Sequence, residues 1–177
     1  GAGWAGEGHT RALQACGVEV VAICARQPAV VQAVAERLGI PLATTDWRQT
    51  LLTLKPEIVA LTTPAELRGE VIEVATQLGC HLLCEKPLAT TAPEAKRLYT
   101  LAEQAGVKHA YAATHRYDPS IAWLTQLLLD GAIGQLREID VLLRYQWLTD
   151  LTPWFWWDSL STGGGALNAG LTHFLGM

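Results

Sequence analysis

The sequence predicts an α/β fold, a doubly wound parallel sheet with helices packed on both of its faces. Up to about residue 117, short runs of apolar and often β-branched residues alternate with amphipathic segments of about ten residues. Short turns join these segments, and glycine or proline marks most of their ends. This alternation is typical of parallel strands that are joined by crossover helices.

The first elements follow directly from this pattern. A glycine-rich turn opens a helix over residues 7–16, which Gly17 can end. Residues 18–24 are almost continuously apolar and rich in β-branched side chains, so they predict a buried strand. The next helix covers residues 28–38, because proline favours a first turn and glycine favours a stop.

The same alternation continues to residue 113. It predicts helices over residues 47–54, 66–78 and 92–105 and strands over residues 57–61, 81–84 and 108–113. From residue 118 the pattern changes to a helix that ends near residue 129, a glycine turn and a long strand over residues 136–147. We therefore predict one α/β domain over residues 1–117 and the beginning of a second α/β domain over residues 118–177.

The two ends of the sequence suggest a further expectation. A glycine fingerprint of the kind seen at residues 1–6 normally follows a strand, and residue 177 falls within a predicted helix. We therefore expect a fragment that lacks the first, central strand of its sheet and most of its second domain.

Composition excludes several classes of protein. The 177 residues include 13 basic and 17 acidic side chains, and a net charge of −4 does not suit nucleic acid. No apolar run has the length of a membrane span, and no secretory leader is visible. The four cysteines match neither zinc-site nor disulfide spacing, and no other set of residues matches a metal site. We expect a cytoplasmic protein without a metal, membrane or nucleic-acid partner.

Gly1, Gly3 and Gly6 form the pattern G-x-G-x-x-G at the start of a helix. Glycine lets the backbone turn tightly and approach a diphosphate, while the helix N-terminus supplies N–H donors. We therefore expect these residues, with Trp4 and Ala5 between them, to bind a dinucleotide.

In a parallel sheet, ligands bind at the carboxyl ends of the strands. Five segments of this chain meet that edge of the predicted sheet: residues 1–6, 25–26, 62–64, 85–87 and 115–117. Beyond the glycine turn, the expected cofactor contacts are Ala25, Arg26, Thr62, Thr63, Pro64, Glu85 and Lys86, and the expected substrate contacts are His115, Arg116 and Tyr117.

Ala25 and Arg26 bear on the choice of dinucleotide. A site for NAD places a carboxylate at the end of the second strand to bind the ribose 2′-hydroxyl, whereas Ala25 holds that place here. The guanidinium of Arg26 suits a 2′-phosphate, so NADP is favoured over NAD. A solvated surface arginine with no ligand is the alternative interpretation.

Lys86 lies at the predicted mouth of the crevice, between Glu85 and Pro87. A lysine in such a place can orient a hydroxyl or carbonyl group, and burial would lower its pKa. A surface ion pair with Glu85 accounts for the same spacing equally well.

A series of motifs runs through essentially the whole chain: residues 1–6, Thr63-Pro64, residues 79–87, residues 115–119, the triple glycine at 163–165, and His173. In this order they resemble the Gfo/Idh/MocA family of nicotinamide-dependent oxidoreductases. The resemblance implies a Rossmann domain followed by an α/β domain whose open sheet often builds the interfaces of a homo-oligomer.

The resemblance also implies roles for particular residues. Lys86 corresponds to the family's lysine beside substrate and nicotinamide, and His173 to its acid–base histidine. In that role His173 would exchange a proton with the hydroxyl of a sugar or polyol while hydride moves to or from the same carbon. Asn168, the nearest polar residue before it, is expected to contact this small-molecule substrate.

Several positions depart from the family's pattern. Ala169 and Leu171 replace the aspartate and glycine of Asp-x-Gly-x-His, so His173 lacks the carboxylate that would orient it. Arg68 stands where a histidine is common, and His115 where an asparagine is common. The leading interpretation is an NADP-preferring oxidoreductase. A nucleotide-binding sensor without turnover and a reductase of the biliverdin-reductase kind are the alternatives.

Two further groups of residues have less specific interpretations. Aromatic side chains crowd residues 147–157 and suit either sugar stacking or the packing of a core or subunit interface. His9, His81 and His109 have no partner at a suggestive spacing, so we expect structural roles for them.

Overall fold

Helices and strands alternate through most of the chain. The computed structural model describes residues 1–142, 144, 159–165 and 167–175. The helices are α1 (Trp4–Ala15), α2 (Pro28–Leu38), α3 (Trp47–Leu54), α4 (Gly69–Gln77), α5 (Ala92–Gln104), α6 (Pro119–Leu129) and α7 (Thr172–Leu175). The strands are β1 (Ala22–Cys24), β2 (Leu42–Thr44), β3 (Ile58–Leu61), β4 (His81–Cys84) and β5 (His109–Tyr111). Shorter 3-10 turns lie at Ala65–Leu67, Thr114–Tyr117 and Leu160–Thr162, and a π-helical turn at Leu167–Leu171 precedes α7.

Local sequence sets several of these boundaries. Helix α2 has Pro28 in its first turn and ends at Gly39, whose φ of +67° lies in the left-handed region that glycine adopts easily. The Asp46 carboxylate caps α3 by accepting a hydrogen bond from the Gln49 amide at 2.9 Å. These caps agree with the helix ends that the sequence predicts.

The strands form two parallel sheets. Strand β1 pairs with β2, so that Ile23 lies opposite Ala43. The second sheet has the order β3, β4, β5, with Cys84 opposite Leu61 on one side and Tyr111 on the other. In the described part of the chain no ladder joins β1 to β3. The α/β class and the parallel pairing are confirmed, although the sheet comes in two parts.

The first two residues lie between the two sheets. A Cβ atom built on Gly1 would lie 2.6 Å from Thr62 Oγ1, at the end of β3. Ala2 is buried in a cluster with Ile23 of β1. The carboxyl ends of β1 and β3 therefore meet on either side of the glycine turn.

The buried apolar side chains form two clusters. The larger packs α4 and α5 against β3 and β4, and Ile72, Ala75 and Leu98 are almost completely buried there. The smaller packs α2 against β1 through Val31 and Val34. Because each buried valine, leucine or isoleucine side chain contributes about 1.5–3 kcal/mol, these clusters hold the helices against the sheets.

Some predicted boundaries are wrong. Helix α1 begins at Trp4 and not at residue 7, because Gly3 already serves as its N-cap. Only residues 22–24 of the strand predicted over 18–24 pair with a neighbour, since β2 is equally short. The helix predicted over residues 66–78 is divided into a 3-10 turn and α4. Strand β2 was not predicted, because three residues are too few to show a period.

The strand predicted over residues 136–147 is absent from its described part. Residues 136–142 and 144 are exposed and have no strand conformation. A strand needs a neighbour to receive its backbone hydrogen bonds, and none of the described segments pairs with this one. The rest of this predicted strand and the whole aromatic cluster at residues 147–157 lie outside the described residues. The domain boundary near residue 117 stays a prediction.

Candidate cofactor site and active site

The glycine turn forms a tight cradle at the start of α1. A Cβ atom at Gly6 would lie 2.0 Å from the Gly1 carbonyl oxygen, so no larger residue fits there. A Cβ atom at Gly3 would meet nothing within 4 Å, and Gly3 is the N-cap of α1 without a side-chain hydrogen bond. The cradle therefore leaves the first amides of α1 open to a ligand, which is what a dinucleotide diphosphate requires.

Two side chains of α1 adjoin this cradle. Trp4 is 92% exposed, so its ring lies almost entirely in solvent. The Glu7 carboxylate forms an ion pair with Arg37 of α2 at 2.5 Å. Because Glu7 is turned toward α2, its charge is partly neutralised, which reduces its repulsion of an anionic ligand.

The residues that are predicted to contact the ribose of the dinucleotide lie at the end of β1. The Ala25 amide donates to the Thr44 carbonyl at 3.2 Å, so β1 and β2 stay paired to this point. Arg26 follows on the surface and forms no ion pair with any residue of the described ranges. Its guanidinium is exposed to solvent beyond the strand end.

The loop after β3 also adjoins the glycine turn. Thr62 Oγ1 lies 3.5 Å from the Gly1 carbonyl oxygen, at the outer limit of a hydrogen bond. Thr63 Oγ1 is buried and has no hydrogen-bond partner among the described residues. A buried hydroxyl without a partner costs free energy, and the expected contact of Thr63 with a dinucleotide stays a prediction.

The loop after β4 carries Lys86 and is held by Glu85. The Glu85 carboxylate bonds to His9 Nε2 of α1 at 2.9 Å and accepts from the Lys86 amide at 3.0 Å. Burial alone would raise the pKa of Glu85, but these hydrogen bonds outweigh it and hold that pKa below its ordinary value of 4.5. Glu85 is therefore an anion that joins α1 to the Lys86 loop, whose Lys86–Pro87 peptide bond is cis.

Lys86 and His173 are brought to one place from positions far apart in the sequence. Burial lowers the pKa of Lys86, Glu85 opposes that shift and Arg68 adds to it. Burial, then Lys86 and then His115, lower the pKa of His173 below its ordinary value of 6.5. His173 is therefore neutral at pH 7, and its Nδ1 atom is buried without a hydrogen-bond partner in the described structure.

The His173 ring is held by its neighbours. It stacks on the His115 ring with centroids 4.2 Å apart and planes inclined by 17°. The adjacent Thr172 hydroxyl donates to the Asn168 carbonyl at 2.7 Å, and its side chain also hydrogen-bonds with Tyr111 of β5. These contacts tie α7 to the end of β5, so His173 has a defined position without the family's aspartate.

The contacts of three predicted substrate residues say less about substrate binding. The Asn168 side-chain amide donates to the Gly164 carbonyl at 3.2 Å, and not to Lys86 or His173. The Arg116 guanidinium lies over the Tyr117 ring at 5.6 Å, and Tyr117 is 74% exposed. Their roles toward substrate stay predictions.

A cavity of about 450 Å³ lies beside these residues, between α5 and the second sheet. Most of its lining is apolar, and Tyr111 and Asn168 are among the residues that contribute polar atoms to it. It belongs to the face of β5 that packs on α5.

The four thiols differ in exposure. Cys16 is exposed, Cys24 is partly buried, and Cys80 and Cys84 are buried, all in the free form. Burial raises the pKa of Cys84 to about 11, against an opposing effect of Arg68. Cys84 is therefore a neutral thiol at the end of β4.

Three residues shape this site through contacts that sequence reasoning did not predict. His9, which was expected to be structural, ties α1 to the Glu85 loop through its hydrogen bond to Glu85. Arg68, noted in the sequence as a departure from the family's histidine, holds the loops after β3 and β4, and Tyr111 hydrogen-bonds with Thr172 of α7. A buried arginine between two strand ends gives no periodic signal, so only the three-dimensional arrangement shows it.

The described ranges contain neither a cluster of metal ligands nor a membrane-crossing helix. No group of three or more histidine, cysteine, aspartate or glutamate side chains is placed to hold a metal ion there. None of the helices in that part of the chain is both long and apolar enough to cross a bilayer.

The glycine cradle and the parallel strand ends define a dinucleotide-binding α/β protein, with Lys86 and His173 close together at the same edge. The family model described as "Oxidoreductase family, NAD-binding Rossmann fold" matches residues 1–113. The chain therefore belongs to the Gfo/Idh/MocA oxidoreductase family, whose nicotinamide dinucleotide is NAD or NADP.

Several known proteins are similar to this chain. Levoglucosan dehydrogenase of Pseudarthrobacter phenanthrenivorans is 30% identical over 157 residues, covering 88% of this chain and 40% of that protein. D-xylose 1-dehydrogenase (NADP(+)) 2 of Haloferax volcanii is 35% identical over 108 residues, covering 61% of this chain and 33% of that protein. A solved structure of levoglucosan dehydrogenase in complex with NADH has a TM-score of 0.87 and 28% identity, covering 99% of this chain and 50% of that one. The chain thus spans at most half the length of these relatives.

Proposed function

We propose that the protein is an oxidoreductase that transfers a hydride between NADP and a sugar, polyol or related hydroxyl or carbonyl compound. The observation that carries this proposal is the placement of Lys86, His115 and His173 together beside the end of β4. Relatives named as dehydrogenases of levoglucosan and D-xylose support the substrate class. The bound nicotinamide would supply the hydride acceptor or donor, which no side chain of the chain can replace.

The residues of the chain would handle the proton and the orientation of substrate. The lowered pKa leaves His173 neutral at pH 7, so it can accept a proton from a substrate hydroxyl. The Lys86 ammonium would donate a hydrogen bond to the same oxygen and favour its deprotonated form. The partial burial of both side chains strengthens these interactions, because less water competes for them.

The preference for NADP rests on the end of β1. Ala25 presents no carboxylate to repel a 2′-phosphate, and the exposed guanidinium of Arg26 is free to bind one. The name of one relative includes NADP(+), and another relative was solved in complex with NADH. The relatives therefore include proteins associated with either dinucleotide. The local residues, and not the relatives, are therefore the support for NADP.

Three further proposals concern the whole protein. We propose that it acts on a small molecule, works in the cytoplasm and forms a homo-oligomer. The support for the last is the resemblance to the family, together with the exposed apolar residues Trp123 and Leu129 of α6. Light scattering of the full-length protein would test the oligomeric state.

The experiment that tests the function combines binding with turnover. The full-length protein is titrated with NADPH and NADH and then assayed with a panel of sugars, polyols and their ketones. In Lys86→Met and His173→Ala, dinucleotide affinity should be retained while kcat falls by about 10² or more, because only proton handling is lost. Turnover that survives in both variants would contradict the proposed roles.

A sensor that binds the dinucleotide without turnover is the second candidate. The unpartnered Nδ1 atom of His173 favours it, since no carboxylate among the described residues orients the ring as a base. Tight NADPH binding without turnover on the whole panel would support the sensor and exclude the enzyme. Measurable turnover would support the enzyme and exclude the sensor.

A further inference from the structure

Arg68 is a buried cation that no sequence motif accounts for. It lies between the 3-10 turn after β3 and the start of α4, and it is only 2% exposed. Its Nε and Nη2 atoms donate to the Thr63 carbonyl at 2.8 and 2.5 Å. Its Nη1 atom donates to the carbonyls of Glu85 and Pro87. The guanidinium thus joins two loops that follow neighbouring strands.

The partners of Arg68 are unusual for a buried arginine. All the hydrogen bonds described for it end on backbone carbonyls, and none of the ion pairs in the described ranges includes it. Removing a guanidinium from a buried site would leave these carbonyls without donors and water could not readily replace them. The planar guanidinium group of arginine has five N–H donors and can bind carbonyls on two loops at once. The ammonium group of lysine, on its flexible side chain, cannot do this.

We propose that Arg68 is a positioning residue that fixes the loop of residues 85–87 so that Lys86 faces the catalytic crevice. The carbonyls that Arg68 binds lie on either side of Lys86, at residues 85 and 87. Both ends of the Lys86 peptide segment are therefore anchored to the Thr63 loop, which limits the directions that the Lys86 side chain can take. This inference rests on the proposed function of Lys86.

The surrounding charges give Arg68 a second influence on the same residue. Glu85 and Arg68 both affect the titration of Lys86, and Lys86 in turn affects that of His173. Glu85 raises the pKa of Lys86 and Arg68 lowers it. Arg68→Lys keeps the positive charge but loses the planar guanidinium group, so this variant separates the geometric role of Arg68 from its electrostatic one.

The test compares Arg68→Lys and Arg68→Met with Arg48→Met in the full-length protein. Arg48 is a matched control, because its guanidinium is exposed, stacks on the Trp47 ring at 4.8 Å and forms a 3.4 Å ion pair with Glu70. In Arg68→Lys, we expect kcat to fall by about 10-fold to 100-fold with little change in NADPH affinity, because misplacement of Lys86 affects the reaction more than cofactor binding. Arg48→Met should match the unmodified protein.

Amine labelling provides a readout that does not depend on turnover. Acetic anhydride is applied at a fixed pH, and the modification of Lys86 is measured by mass spectrometry relative to Lys108, which lies far along the chain on the turn before β5. We expect the ratio of Lys86 to Lys108 labelling to rise at least about threefold in Arg68→Lys, as the loop gains freedom. Lys108 is exposed in the folded protein, so it calibrates the reagent; general loosening of the fold would instead appear as a lower melting temperature of Arg68→Lys.

The outcomes separate this inference from the proposed function. If the unmodified protein turns over no substrate but the labelling ratio rises in Arg68→Lys, the proposed function fails and the anchoring by Arg68 stands. Unchanged kcat and an unchanged labelling ratio in Arg68→Lys would overturn the inference. Loss of the folded state in both Arg68 variants, even with NADPH bound, would also overturn it and make Arg68 a folding residue.

Discussion

The imidazole rings of His115 and His173 stack with centroids 4.2 Å apart and planes only 17° from parallel. His115 belongs to the 3-10 turn after β5, and His173 to α7, so the stack joins two segments 58 positions apart in the sequence. Stacked imidazoles cannot both carry a charge without repulsion. The stack therefore favours the neutral form of His173 while it holds the ring in place.

Replacing His115 with Asn should shift the pH dependence of turnover. His115 contributes to lowering the pKa of His173, after burial and Lys86. In His115→Asn that pKa should rise toward 6.5, and because the neutral ring is the active base, the acidic limb of kcat/KM should move to higher pH. The pH profile of kcat/KM for hydroxyl oxidation measures this shift.

His81→Asn is the control for that measurement. In the described part of the chain, His81 accepts a hydrogen bond from the Lys108 amide at 3.3 Å and lies at the opposite end of β4 from Lys86, so its replacement should leave the profile in place. An unchanged acidic limb in His115→Asn would mean that the stack does not influence the titration of His173.

Arg26→Ala should weaken NADPH binding selectively. The substitution removes a charge-assisted contact to the 2′-phosphate worth about 1.5–3 kcal/mol, while NADH lacks that phosphate. Fluorescence titration with both dinucleotides gives the two Kd values. Arg11→Ala is the control, because Arg11 is an exposed arginine on α1. Equal or tighter binding of NADH by the unmodified protein would refute the preference for NADP.

Gly6→Ala should abolish dinucleotide binding and lower the free energy of unfolding. The new methyl group would lie 2.0 Å from the Gly1 carbonyl oxygen, so the turn must move. Gly8→Ala is the matched control, since nothing lies within 4 Å of its Cβ position in the same helix. That change should stabilise the protein by about 0.5–1 kcal/mol through helix propensity. Thermal melting with and without NADPH distinguishes the two.

Glu85→Gln should reduce stability at neutral pH and flatten its loss in acid. The folded-state pKa of Glu85 lies below 4.5, so its contribution is present above pH 4.5 and disappears as the pH falls through that lower pKa. The buried hydrogen bond to His9 should make this contribution about 1–2 kcal/mol.

Glu103→Gln provides the comparison for Glu85→Gln. Glu103 pairs with His109 at 2.7 Å but its side chain is 55% exposed, so the pair should contribute little. Melting curves between pH 7 and pH 3.5 measure both variants. An equal effect of the two substitutions would contradict the buried role assigned to Glu85.

Periodicity predicts the elements that are long or that end in distinctive residues. Helices α2 and α3 and strand β4 have the boundaries that the sequence predicts. The strand ends then place the loops at residues 62–64 and 85–87 on one edge, where the structure has them. These elements are predictable because the residues that become buried and the residues that cap a helix lie close together in the sequence and form regular patterns.

Contacts between distant residues were beyond such reasoning. The bond between His9 and Glu85 spans 76 positions, and no local pattern in either segment indicates it. Arg68 was seen only as a departure from the family's histidine, because burial of an arginine depends on carbonyls supplied by other loops. The meeting of Lys86 and His173 was expected from the resemblance alone, since a separation of 87 positions has no periodic signature.

The unequal exposure of the thiols has a practical consequence. An alkylating reagent attacks the thiolate, so the buried Cys84, with its pKa near 11, should stay unmodified at neutral pH. Cys16 is exposed and follows directly after α1, whose other end holds the glycine turn. At a rise of about 1.5 Å per helical residue, a fluorophore on Cys16 would stand roughly 18 Å from the cradle. That distance suits energy transfer from the probe to a bound reduced dinucleotide, or the reverse, without crowding the ligand.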